Sequence, residues 1–207
     1  LGLEVNPPKD YLPFWDGMPE LLDANVLQPG HELLWSERPV GKYGEIWKKA
    51  VAPSGLSRVF FYNENVGYAG APDLIYRDSH GRVVLADFKT STGPYAAKLP
   101  SKVQKASLGM TPDEEKKLFG GKIKFEKCAA QLLAYSRALQ FTLDLTVDDY
   151  KIFVSTPDID RSWNVQAFTL TPWEVERASR NWDLCLRAYH NGDKIDVFTP
   201  TRSVKAA

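Results

Sequence analysis

Apolar residues recur along this chain with two different periods. From residue 58 to residue 90, in "RVFFYNENVGYAGAPDLIYRDSHGRVVLADFKT", they alternate with polar residues or run in short blocks. That pattern predicts consecutive antiparallel strands over 58–64, 67–77 and 82–90, the last two joined by the turn Asp78-Ser79-His80-Gly81. From 122 to 141, "KIKFEKCAAQLLAYSRALQF" is rich in Ala, Leu, Gln, Lys and Arg and holds no breaker, which predicts a helix. Strands over 150–156 and 164–170 follow. Thr171-Pro172-Trp173-Glu174 then forms a capping box for a helix that runs to Asn191-Gly192.

The flanking regions are less regular. Residues 1–57 form an irregular N-terminal part: 1–30 are rich in Pro, Gly and aromatics with one short helix near Pro19 to Ala24, and a strand over 31–40 stops at Pro39. A short helix is expected in "GEIWKKAV", before the break "APSG" at 52–55. Residues 90–121 make a long, polar, lysine-rich connection, a length usually tied to function or mobility. Within it, "TPDEEKKLFG" carries a Thr111 cap, Pro112 at the first helical position and a closing Gly, which predicts a separate short helix. The order of strands, helix, strands, helix gives the α/β (α+β) class, a mixed sheet flanked by helices. Length favours a single domain over 1–207, with its core at 58–191.

One strand ends oddly. Val83, Val84, Leu85 and Ala86 suit a buried strand, yet the run finishes on Asp87, Phe88 and Lys89. Period two sets Asp87 and Lys89 on one face and Phe88 on the other. If the hairpin closes at 78–81, Asp73 on the preceding strand falls within a few residues of Asp87. Two such carboxylates repel unless a cation lies between them. Hard oxygen ligands suit Mg²⁺ or Mn²⁺, with the Phe88 carbonyl as a third protein oxygen. Lys89 is placed to orient or help deprotonate an attacking water and to offset charge on a phosphoryl group. The bland reading is an exposed Asp–Lys pair on a hairpin, worth little. Asp-x-Lys alone occurs by chance in many sequences.

Context raises its weight. Pro72-Asp73 followed after 14 residues by Asp87-Phe88-Lys89 resembles the PD-(D/E)xK nuclease superfamily. Downstream, "AAQLLAYSRAL" adds a Gln-x-x-x-Tyr pair, Gln131 and Tyr135, and the whole resembles the RecB-type exonuclease branch of mitochondrial, phage and bacterial enzymes. The resemblance covers roughly residues 60–140 and implies a restriction-endonuclease-like fold and a metal-dependent deoxyribonuclease. Asp73 and Asp87 would ligate Mg²⁺ or Mn²⁺, and Asp73, Asp87 and Lys89 would carry catalysis. Gln131 and Tyr135 would lie beside the site. Lys127, one turn earlier on that helix stripe, would touch phosphate. The implied partner is DNA, single-stranded or at its ends, in recombination, repair or phage DNA processing. The alternatives are a site-specific restriction-type endonuclease and a catalytically silent nucleic-acid-binding domain. Many RecB-type nucleases also carry an early histidine ligand in a G-T-x-x-H setting. His31, after Pro29-Gly30, His80 in the hairpin turn and His190 near the last helix end lack it. That ligand lies upstream of Leu1, or the site works without it.

Composition adds four points. Net charge is zero, but Lys89 to Lys127 hold nine lysines against four acids. This local excess suits either a polyanion or a solvated loop, and the resemblance extends it to a channel or arch around the DNA strand. Cys128 and Cys185 cannot make a four-thiolate cluster and read as buried free thiols of a reducing compartment. No run of about 18 apolar residues exists, so no membrane span is expected, and the free thiols suit a cytoplasmic, intracellular protein, with an organellar address left open. Phe14, Trp15, Trp35 and Tyr11 could stack on bases, but packing is the expectation for them and for Trp163, Trp173 and Trp182.

Overall fold

The hairpin at residues 74–90 organises the rest. In the computed structural model, which describes residues 9, 12–15, 17–36, 61–63, 67–157, 165–193 and 197–198, β4 (Leu74–Arg77) pairs antiparallel with β5 (Val83–Thr90). Gly81 closes the turn at φ +82°, a left-handed conformation that suits glycine. On its other edge β5 pairs in parallel with β6 (Asp149–Ser155). β1 (Glu32–Ser36) and β7 (Val165–Thr169) close the ends, giving a five-stranded mixed sheet in the order β1-β4-β5-β6-β7. This is the mixed α/β architecture that the element order predicts.

Parallel pairing of β5 and β6 needs a crossover. It is supplied by α3 (Lys102–Ser107) and the 32-residue α4 (Pro112–Leu143). One face of the sheet buries Ile75, Leu85, Ile152 and Val154 with Phe125, Leu132 and Leu139 of α4. The other buries Leu74, Tyr76, Val84, Ala86 and Phe153 with Met18 and Leu21 of α2 (Met18–Asn25), which follows the four-residue α1 (Leu12–Trp15). The last helix, α5 (Pro172–Asn191), lies along α4. Its Arg177 pairs with the buried Glu126 at 2.6 Å, and Lys122 reaches the same carboxylate at 2.9 Å.

Several expectations change. The strand expected over 67–77 is two elements. β3 (Tyr68–Gly70) pairs with β2 (Phe61–Asn63) in a separate two-stranded sheet against α4. Pro72, lacking an N–H for a ladder, lies where the chain leaves that sheet for the main one. The short helix at 111–120 and the helix at 122–141 are one. Gly120 and Gly121 do not end it: a Cβ on Gly121 would stand 2.5 Å from the Pro94 carbonyl oxygen, so this glycine serves a close approach. The 90–121 connection is largely structured. Ser101 and Gln104 cap α3 reciprocally, and Gln166 of β7 accepts from the Tyr95 N–H at 2.8 Å. Part of the basic tract is internally paired, since Lys105 reaches Glu115 at 2.6 Å.

The aromatic assignments divide. Trp35 is fully buried, whereas Trp15 is 36% and Trp173 55% exposed, the latter under the Arg177 guanidinium. Tyr11, Trp163 and the expected helix in "GEIWKKAV" lie outside the described residues. Among the described residues, no helix is long and apolar enough to cross a membrane.

The glycine pair gives a test. Gly121→Ala should destabilise the fold by about 1–3 kcal/mol through overpacking against Pro94. Gly120→Ala, with nothing within 4 Å of its Cβ, should stabilise it by roughly 0.5–1 kcal/mol. Urea denaturation of the two variants checks the opposite signs.

Candidate active site

Register places the first carboxylate. Leu74 pairs with Ala86, so one further step sets Asp73 opposite Asp87, on the α4 side of the sheet. Trp35 fixes that step: its indole N–H donates to the Pro72 carbonyl at 2.8 Å from a fully buried position. Asp73 is half-buried and accepts the Phe88 N–H at 2.8 Å. The N–H and C=O of one strand residue point to the same edge. The Phe88 carbonyl therefore faces the side of β4 too, past its last paired residue. The Phe88 ring points away and stacks on Phe153 in the opposite core.

Asp87, only 1% exposed, is held from two directions. Lys89 forms an ion pair with its Oδ2, and the Cys128 thiol of α4 lies 3.3 Å from the same oxygen. Burial, reinforced by the Asp87 charge, pushes the Cys128 thiol far up, so it stays protonated and donates. Burial alone would ease a proton off Lys89, but the adjoining Asp87 carboxylate outweighs it and the net displacement is upward. Asp73 carries the strain. Burial, then the Asp87 charge, raises it from 3.8 to about 6, against the Phe88 N–H and Lys89.

These groups fit a hard divalent cation. Two carboxylates and one carbonyl converge where a second negative charge is poorly tolerated, and a cation would remove that penalty. Among the described residues no cluster of three or more His, Cys, Asp or Glu side chains adds to them. Such a set leaves ligand positions for water and substrate, as Mg²⁺ and Mn²⁺ require. His31 is remote. It precedes Glu32, which pairs with Arg77 at the turn end of β4, and it stacks half-buried on Tyr76.

α4 brings the remaining groups. Gln131 donates to the Tyr135 hydroxyl at 2.6 Å. Tyr135 is pushed up by burial and then by Asp87, which places its phenol in the field of the acidic pair. Gly70 lets β3 lie on the Tyr135 ring, since a Cβ there would stand 2.3 Å from Cε1. Lys127 is exposed, its ammonium 5.7 Å from the Phe198 ring, on the rim of the pocket that Gln131 and Tyr135 line. Sequence reading missed three residues. Cys128 falls one turn before Gln131 on the same stripe, a spacing visible in the sequence. Lys124 lies one turn earlier still and donates to Ser91 Oγ, just past β5, at 2.8 Å. Trp35 carried no signal, because its partner is 37 residues away.

The raised Asp73 carboxyl makes stability depend on pH with a definite sign. Between 3.8 and about 6 the folded chain keeps a proton that the unfolded chain releases. Stability of the metal-free protein therefore falls as pH rises through that window. Asp73→Asn should abolish this slope and stabilise the metal-free protein at pH 7 by about 1 kcal/mol after solvent screening. The same variant should lose the stabilisation by Mn²⁺, about 2.7 kcal/mol at a hundredfold excess over Kd. Thermal melts across pH with and without Mn²⁺ measure both; a full Mn²⁺ shift in Asp73→Asn would remove Asp73 from the ligand set. No protein-family model matches this sequence, and no curated protein is significantly similar to it.

Proposed function

We infer that the chain is a metal-dependent deoxyribonuclease hydrolysing phosphodiester bonds, acting from DNA ends or on single strands. The observation that carries this reading is the register-opposed pair Asp73 and Asp87 with Lys89 on the same face of β5. Asp73, Asp87 and the Phe88 carbonyl would hold Mg²⁺ or Mn²⁺. When bound, that ion supplies Lewis acidity at a phosphoryl oxygen and lowers the pKa of a ligated water.

The chain's own groups divide the remaining work. Lys89 shares the Asp87 carboxylate and projects from the same face of β5, so its ammonium would lie beside a phosphate held at the site. Lys89 keeps its proton beside Asp87, which suits it to orient the attacking water and offset developing charge more than to accept a proton. Gln131 donates to the Tyr135 oxygen, which leaves the phenolic proton to be donated onward. Burial, then Asp87, keeps that phenol neutral, so it serves a phosphoryl oxygen as a donor without adding negative charge.

With Mn²⁺ and linear DNA, Asp87→Asn and Lys89→Ala should each lower the cleavage rate by about 100-fold or more. Covalently closed and circular single-stranded DNA should stay intact. Unchanged cleavage in both variants overturns the assignment, and cutting of closed circles would turn it toward an endonuclease.

A further inference from the structure

Beside the acidic pair, a pocket of about 300 Å³ opens between β3, α4 and α5. That volume is at the small end of ligand sites, roughly 300–1,000 Å³, and suits one nucleoside better than a base pair. Its walls are aromatic. The half-buried rings of Tyr68 and Trp182 meet edge to face, with centroids 5.1 Å apart and planes at 79°, and Tyr135 closes the side toward Asp87. Ala130 and Ala134 keep the α4 wall shallow, and Gly70 lets β3 close on the Tyr135 ring at one side. The Tyr68 hydroxyl donates to the Ala134 carbonyl at 3.0 Å, so that ring is fixed across the gap.

Two features argue against a packing role alone. Among the described residues the buried Trp182 indole N–H has no acceptor, which costs stability that a phenylalanine would avoid. What the indole adds over phenylalanine is a larger π face. Exposed Lys127 also stands on the rim, one helical turn before Gln131, placing a cation beside an aromatic pocket. Aromatic faces with an adjacent cation bind a base and its phosphate without regard to sequence.

We propose that this pocket seats the base of an unpaired nucleotide next to the scissile phosphate, with Trp182 and Tyr68 as stacking surfaces and Lys127 on the neighbouring phosphate. The inference rests on the nuclease reading and narrows its substrate to single-stranded or frayed DNA. A paired base keeps its faces within the duplex and cannot enter such a space.

The test compares binding of a labelled twelve-nucleotide oligothymidylate, an abasic strand of equal length and a blunt duplex. Ca²⁺ replaces Mg²⁺ to limit turnover. The wild-type chain should prefer the base-bearing single strand over both others, by about 5- to 100-fold against the abasic strand. Trp182→Ala should remove most of that preference. Trp182→Phe should melt no lower than the wild type, since it removes an orphan donor, yet bind the oligothymidylate several-fold more weakly. Phenylalanine and wild-type proteins that bind it equally, while the wild type cleaves linear DNA with Mn²⁺, would overturn the pocket assignment and leave the nuclease reading standing. So would tighter binding of the duplex. A wild-type chain that neither binds nor cleaves any of these would overturn both.

Discussion

The antiparallel register of β4 on β5 is the constraint on which the site depends. One step past the last paired residues stand Asp73 and Asp87, and a one-residue slip would send one of them to the opposite face of the sheet. Two devices resist that slip. The hydrophobic sets on the two faces differ, so Ile75 and Leu85 must face α4 while Leu74 and Ala86 face α2. The Trp35 indole also holds the Pro72 carbonyl, fixing the residue before Asp73 from the third strand of the set.

Given that register, the electrostatics follow from burial. Asp87 sits almost wholly inside and is accommodated by charge and hydrogen bonding, from Lys89 and from a thiol that burial keeps protonated. Asp73 accepts the Phe88 N–H but faces the Asp87 carboxylate, and burial with that neighbouring charge pushes its carboxyl up. Lys89 and Cys128 both engage Oδ2 of Asp87, which leaves the other oxygen of that carboxylate as the one uncommitted to them. The frustration is local and of one sign. A second cation would relieve it, and so would removal of the Asp73 charge.

What the sequence made legible was local. The hairpin turn, the Asp87/Lys89 alternation and the helix caps at Thr111 and Thr171 depend on neighbours within a few residues, and the structure places them as read. The Ser101–Gln104 box at α3 had the same signature and passed unread inside a polar stretch. Failures came where distant contacts decide. Pro72 divides one apparent strand because β2 and the main sheet compete for its two halves. The Gly120-Gly121 pair looks like a helix end, but tertiary contact with Pro94 makes glycine necessary within a continuous helix. Trp35 and Cys128 read as core, which they are; their polar atoms meet the site only through the fold.

The unbroken helix also explains how so short a motif becomes a site. At about 1.5 Å per residue, the 32 residues of α4 span roughly 48 Å. They carry Lys124, Cys128, Gln131 and Tyr135 on one stripe past the end of β5. Lys124 meets Ser91, Cys128 meets Asp87, and Tyr135 meets Gly70, so one rigid element is located by three separate strand-end contacts. Were the helix broken at Gly120, the segment carrying the stripe would begin only a turn before Lys124 and would lose the Gly121–Pro94 approach that sets its height over the sheet. The glycine read as a terminator is then part of what aligns the stripe with the carboxylates, because only a residue without Cβ lets the helix pass that close to the loop leaving β5.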